Sequence, residues 1–108
     1  MTRIDDSLAA LAEPTRRAVV DLLRLRPHRA GELAEALAMS APALSRHLRV
    51  LRQSGLITDD EPAEDARVRL YRLQPEAFDE LQDWVGRIRS LWTDQLAAFK
   101  AHAERKRR

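Results

Sequence analysis

The 108-residue chain contains no cysteine. It can form no disulfide and offers no thiolate to a soft metal, which argues against a secreted disulfide scaffold and a thiolate metal site. Glycine occurs only three times, with no glycine-rich loop able to cradle a phosphate. No apolar run approaches the roughly 18 residues that a membrane-spanning helix needs. The opening Met-Thr-Arg-Ile-Asp-Asp lacks the basic and apolar segments of a secretory signal. These absences predict a cytoplasmic protein without membrane partners. No serine has the nucleophile-elbow context that would make the Ser, His and Asp residues a catalytic set, so an enzyme is not expected.

What is present is an apolar share of 44%, enough for a folded core, and a length suited to one domain spanning 1–108. The formal net charge of +2 says little by itself; its distribution says more. Residues 41–54 carry Arg46, Arg49 and Arg52 and no acidic residue, whereas residues 55–66 carry Asp59, Asp60, Glu61, Glu64 and Asp65 and no basic one. The first of these segments suits a polyanion and the second does not.

Periodicity outlines the elements. Leu8, Leu11 and Ala12 follow Ser7, a candidate N-cap, and predict a short first helix over 7–12. Glu13-Pro14-Thr15 opens a second helix over about 14–25, with Val19, Leu22 and Leu23 on one face, that ends before Pro27. Leu33 and Leu37 mark a helix from Ala30 to Ala38. Ser40 then caps a run in which Leu44, Leu48 and Leu51 recur at i, i+4 and i+7, and Pro42 sits harmlessly in the first turn. Joined only by Met39-Ser40, these two helices must cross steeply. Ser54-Gly55 ends the second. Leu56-Ile57-Thr58 and Arg67 to Leu73 are β-prone and predict a hairpin over 56–73 with a long polar tip. Gln74-Pro75 begins a last helix, 75–103, with a stripe of Phe78, Leu81, Val85, Ile88, Trp92 and Phe99, Gln95 filling the heptad position between the last two.

A short helix, a tight turn, a longer helix and a hairpin make a mainly α fold with a small β-hairpin, a winged helix-turn-helix over 30–54 and 56–73. In such a fold the second helix enters the major groove of double-stranded DNA. With the leucines inward, Ser40, Pro42, Ala43, Ser45, Arg46, His47 and Arg49 are the candidate DNA-binding residues of that helix, His47 being read mainly as orienting it. An arginine such as Arg46 pairs bidentately with guanine, Ser45 bonds a base or phosphate, and the Ala43 methyl meets thymine. The same side chains on an ordinary solvated helix face are the alternative. The last helix carries a longer apolar stripe than one small domain should need. Phe78, Leu81, Val85, Ile88, Trp92 and Phe99, extended by Leu8 and Leu11, are therefore candidates for a homodimer interface.

Four stretches, taken in order, resemble successive signatures of the ArsR-type (arsenical-resistance-repressor-like) regulators: Leu11-Ala12-Glu13-Pro14-Thr15-Arg16-Arg17, Gly31-Glu32-Leu33-Ala34, Ser45-Arg46-His47-Leu48-Arg49-Val50-Leu51-Arg52 and Ser54-Gly55-Leu56-Ile57. The resemblance covers about 7–73. It implies a dimeric winged-helix repressor whose helix 41–54 reads operator DNA and whose first and last helices form N- and C-terminal dimerisation elements. Metal-sensing members of the family use cysteines in the third helix or Asp and His pairs in the last. Ala30, Gly31 and Asp79-Glu80-Leu81 supply neither, so metal sensing is not carried over and no cofactor is expected. Asp83-Trp84 and Leu91-Trp92 resemble a metal-independent subgroup often encoded beside a START-like lipid-binding-fold protein. Wings of the family usually have a basic tip with a glycine; here the tip reads Asp59-Asp60-Glu61-Pro62-Ala63-Glu64-Asp65-Ala66, which leaves Arg67 and Arg69 at its base to meet phosphates.

Other constellations carry less. His28, His47 and His102 are scattered. Glu76, Asp79, Glu80 and Asp83 lie in the first turns of a helix, where carboxylates offset the macrodipole. Trp84 and Trp92 fit an interface better than an effector pocket, and no small-molecule effector is identifiable. Arg105-Lys106-Arg107-Arg108 reads either as added nonspecific DNA affinity or as a solvated end. Two other functions compete: a protein-interaction module on the same scaffold, and a metal-responsive repressor with an atypical intersubunit site.

Overall fold

Thr2, rather than Ser7, starts the first helix. In a computed structural model that describes residues 2–60 and 69–107, the Thr2 hydroxyl accepts from the Asp5 N–H at 3.3 Å while the Asp5 carboxylate accepts from the Thr2 N–H at 3.2 Å. This reciprocal cap satisfies two backbone donors at once. Helix α1 therefore runs Arg3–Leu11, and the expected start at 7 is corrected. Ser7 is buried in mid-helix, its hydroxyl unpartnered among the described residues. The last carbonyls of α1 are reached from the next helix: Arg16 Nε donates to Ala10 O and Arg17 Nη1 to Leu11 O, both at 2.7 Å. The charged donors thus meet the negative end of the helix dipole.

Helix α2, Pro14–Leu25, has Glu13 as its cap, accepting from the Arg16 N–H at 2.9 Å. It buries Val19 and Leu23 and stops where Arg26 turns extended ahead of Pro27. Strand β1, His28–Arg29, follows. Buried His28 donates from Nδ1 to the Arg26 carbonyl at 2.8 Å. Helix α3, Ala30–Ala36, has at its start the Glu32 carboxylate, which accepts from the Arg29 N–H at 3.1 Å and from Arg26 Nη2 at 3.0 Å. It ends two residues earlier than the apolar spacing implies. Ala38 takes the left-handed conformation with φ 52°, and the N–H groups of Ala38 and Met39 return to Glu35 O and Ala34 O at 3.2 and 3.0 Å. That double closure is a Schellman motif with alanine where glycine is usual, and it lengthens the turn to 37–40.

Helix α4, Ala41–Gln53, begins at Ser40, whose Oγ accepts from the Ala43 N–H at 3.3 Å. It buries Leu44, Leu48 and Leu51. The same motif closes its other end. Gly55, with φ 79°, and Leu56 donate to Arg52 O and Leu51 O at 3.0 Å, and the Leu51 and Leu56 side chains, both 0% exposed, bury together in the core. Strands β2, Ile57–Asp59, and β3, Leu70–Leu73, are antiparallel with Ile57 opposite Leu73 and Asp59 opposite Tyr71. β1 adds to the other edge of β3, with His28 opposite Tyr71, so the expected hairpin is part of a three-stranded sheet of order β1-β3-β2. The polar tip of the wing, with Arg67, falls outside the described residues. Val19, Leu23, Leu33, Leu44, Leu48, Leu51, Leu56, Ile57 and Tyr71 make the core; each fully buried leucine contributes roughly 1.5–3 kcal/mol.

Contacts divide the chain into two units, 1–78 and 79–108. Helix α5, Pro75–Arg107, is 33 residues long and continues past the expected end at 103. Ala77 in its first turn is buried. Beyond residue 81 its large apolar side chains are exposed, including Leu91, Trp92 and Phe99 at 62%, 61% and 71%. Among the described residues no helix is long and apolar enough to cross a membrane.

Candidate nucleic-acid interface

The leucines of α4 turn one face of the helix into the core, which fixes what the opposite face presents. Ser40, Pro42, Ser45, Arg46 and Arg49 are exposed; Ala43 is half-buried. Among the described residues neither Arg46 nor Arg49 has an ion pair or a side-chain hydrogen bond, so both guanidinium groups face solvent uncommitted. An exposed strip of two arginines and a serine, beginning at a capped helix N-terminus and free of carboxylates, provides donors for base edges and phosphates without internal competitors.

His47 lies on the flank of α4. Half-buried, it places Nδ1 3.4 Å from Arg16 Nη1 and 3.7 Å from the Glu13 carboxylate. This contact ties α4 to the start of α2 and gives His47 a positioning role beside the exposed strip. Glu13 is held below the usual carboxylate range, chiefly by the Arg16 N–H it accepts, with His47 and the Thr15 and Arg16 side chains adding to the effect against some desolvation. Glu32 is lowered likewise by the Arg29 N–H and by Arg26. The Glu-Pro-Thr-Arg-Arg and Gly-Glu-Leu-Ala stretches are thus capping devices that set the helices supporting α4.

Arg69, expected at the base of the wing, is half-buried, with Nη1 3.5 Å from Asp59 Oδ2; Arg52 Nη1 is 3.7 Å from the same oxygen. Arg72 pairs with Asp60 at 2.6 Å. Asp59, read in the sequence as part of an acidic tip, is instead turned inward with a side chain only 3% exposed. Its pairing was not legible because the alternation of a three-residue strand gives too short a pattern.

Of the residues expected in a dimer interface, Val85, Ile88, Trp92 and Phe99 are exposed on α5 and Leu8 on α1, while Phe78, Leu81 and Leu11 are half-buried. Leu91 and Leu96, which the heptad reading left out, are also exposed and widen the stripe. Trp84 and Trp92 are 38% and 61% exposed. Among the described residues no group of three or more His, Asp and Glu side chains is placed to hold a metal ion.

Comparison with known proteins agrees with this geometry. Residues 13–59 match the family described as bacterial regulatory protein, arsR family. The chain is 40% identical over 95 residues to the HTH-type transcriptional regulator Rv2034 of Mycobacterium tuberculosis, covering 88% of this chain and 83% of that protein. It is 42% identical over 50 residues to the transcriptional repressor SdpR of Bacillus subtilis, covering 46% of this chain and 56% of that one. A solved ArsR-like transcriptional regulator from Rhodococcus sp. RHA1 superposes with a TM-score of 0.77 at 28% identity, over 96% of this chain and 97% of that one. The protein belongs to the arsR family of bacterial regulatory proteins, and is a DNA-binding winged helix-turn-helix regulator of transcription rather than an enzyme.

Proposed function

We propose that the protein is a cytoplasmic, metal-independent repressor that binds an inverted-repeat operator as a homodimer. The N-terminal half of α4 reads base edges, and the protomers pack through α5 and α1. The observation that carries this reading is the pair Arg46 and Arg49, exposed and without ion pairs among the described residues, on a helix whose other face is fixed by Leu44, Leu48 and Leu51. Arg46, one turn in from the Ser40 cap, lies where recognition helices meet bases; Arg49, further along, lies where such a helix passes phosphates. Repression is inferred from SdpR, a named repressor that is 42% identical to this chain over 50 residues. The homodimer is supported by the exposed apolar stripe of α5, which is larger than a solvated helix should carry. Metal independence rests on ligand chemistry, since soft-metal sites need thiolates or clustered imidazoles and the chain has no cysteine and three scattered histidines.

Selection of bound duplexes from a random-sequence pool tests this. The expected product is an inverted repeat with half-site centres about 34 Å apart, or a multiple of that. Its affinity should fall with salt and be indifferent to zinc, cadmium, arsenite and chelators. A pool that enriches no sequence, or affinity that responds tenfold to one metal per dimer, rejects the reading.

A further inference from the structure

The carboxylate of Asp59 is almost fully buried, its side chain 3% exposed, and it sits between two arginines from different elements. Arg52 belongs to the last turn of α4 and Arg69 immediately precedes β3. Both Nη1 atoms lie within 3.7 Å of the single oxygen Oδ2. A buried carboxylate is tolerated only when paired, so the cluster is held together from the inside. It is not saturated: neither Oδ2 nor the buried Arg69 Nε has a hydrogen-bond partner among the described residues. The Arg52 and Arg69 side chains remain 41% and 31% exposed, each guanidinium with more donors than one shared oxygen can take. Two cations and one anion leave a net charge of +1, the match for one phosphate. Beside the cluster a surface cavity of about 410 Å³ is lined, among the described residues, by Arg49, Arg52 and Gln53.

We propose that Asp59 is a positioning residue that holds Arg52 and Arg69 side by side as a clamp for a single DNA backbone phosphate, at the junction of the recognition helix and the wing. The inference rests on the reading that α4 lies on DNA, and it adds a contact outside the exposed strip of that helix. It also assigns the inward aspartate of an otherwise acidic wing a role in binding a polyanion. Arginines already fixed by a carboxylate lose less freedom when they meet a phosphate. A strand-end acid that merely subtracted charge would act in the opposite direction.

The test measures affinity for a mixed-sequence duplex over a salt series, since phosphate contacts do not depend on base sequence. Arg52→Gln and Arg69→Gln should each bind about three- to tenfold more weakly at low salt and lower the salt slope by about 0.9 per protomer. The double variant should lose little more slope than either single one, because one phosphate is lost only once. Asp59→Asn should bind about two- to fivefold more weakly although it adds positive charge, as expected for a partly exposed ion-paired arrangement. In that background the arginine substitutions should cost less than in the wild type. Tighter binding and a steeper slope for Asp59→Asn would overturn the proposal, and so would additive slope losses for the two arginines. If Asp59→Asn does not fold, the additivity of the arginine variants decides. Loss of binding in Arg49→Ala with none in Arg52→Gln and Arg69→Gln rejects the clamp and leaves the α4 reading standing; no loss in any of the three rejects both.

Discussion

His47 Nδ1, on the flank of the recognition helix, lies 3.7 Å from Oε2 of Glu13, the residue that caps α2. The same carboxylate accepts from the Arg16 N–H at 2.9 Å, while the Arg16 side chain reaches back to the end of α1. One acidic side chain thereby joins the start of α2 to the middle of α4.

This junction predicts a specific acid sensitivity. The carboxyls of Glu13 and Glu32 are lowered in the folded protein from an ordinary value of 4.5. A carboxyl lowered on folding contributes stability that is fully present above its unfolded value and is lost as pH falls through its folded value. Glu13→Gln and Glu32→Gln should therefore each flatten the decline of melting temperature below pH 4.5 relative to wild type. Melting curves that remain parallel across that range would contradict the assignment.

The two Schellman closures predict opposite responses to exchange of one methyl group. Ala38, at φ 52°, bears a left-handed backbone with a Cβ, so Ala38→Gly should stabilise the protein by about 0.5–1 kcal/mol. Gly55, at φ 79°, is in the favourable state already, and Gly55→Ala should destabilise it by about 1 kcal/mol. The atoms nearest to an added Cβ at Gly55 belong to the Arg3 side chain, at an ordinary 3.6 Å, so that cost arises in the backbone rather than from a clash. Urea unfolding of both variants measures the signs, and equal signs would refute the account of the turns.

The exposed stripe of α5 should be covered by a second copy of the chain. Trp92 and Leu96 are 61% and 49% exposed, and charge introduced there should oppose association. Sedimentation at micromolar concentration should give a dimer for the wild type and a monomer for Trp92→Glu or Leu96→Glu. A monomeric wild type, unchanged by operator DNA, would remove the dimer from the proposed function.

The helix-turn-helix was legible because its signals are local: the Leu44, Leu48 and Leu51 spacing, the Ser40 cap and the Gly55 stop each act within a turn or two of chain. The failures have equally physical causes. Thr2 and Asp5 form a reciprocal cap with aspartate in place of the usual longer acid, and Ser7, a good cap by type, is buried in the middle of helix α1. β1 is two residues long and exists because β3 offers it an edge, which no window along the chain reveals. Ala38 hides a left-handed turn because only glycine advertises one. Asp59 resembles its acidic neighbours in the sequence, and its inward orientation follows from its register opposite Tyr71.

The central claim, that α4 reads DNA with Arg46 on a base and Arg49 on a phosphate, is tested most directly by measuring both alanine variants on the selected operator and on a scrambled duplex across a salt series. The account predicts that Arg46→Ala loses roughly 1–3 kcal/mol per half-site on the operator, little on the scrambled duplex, and relaxes preference at one base pair. Arg49→Ala should weaken both complexes alike and lower the salt slope by about one per lost contact. Equal losses on both duplexes for Arg46→Ala would place that residue on the backbone, and full affinity in both variants would show that α4 is not the element that binds DNA.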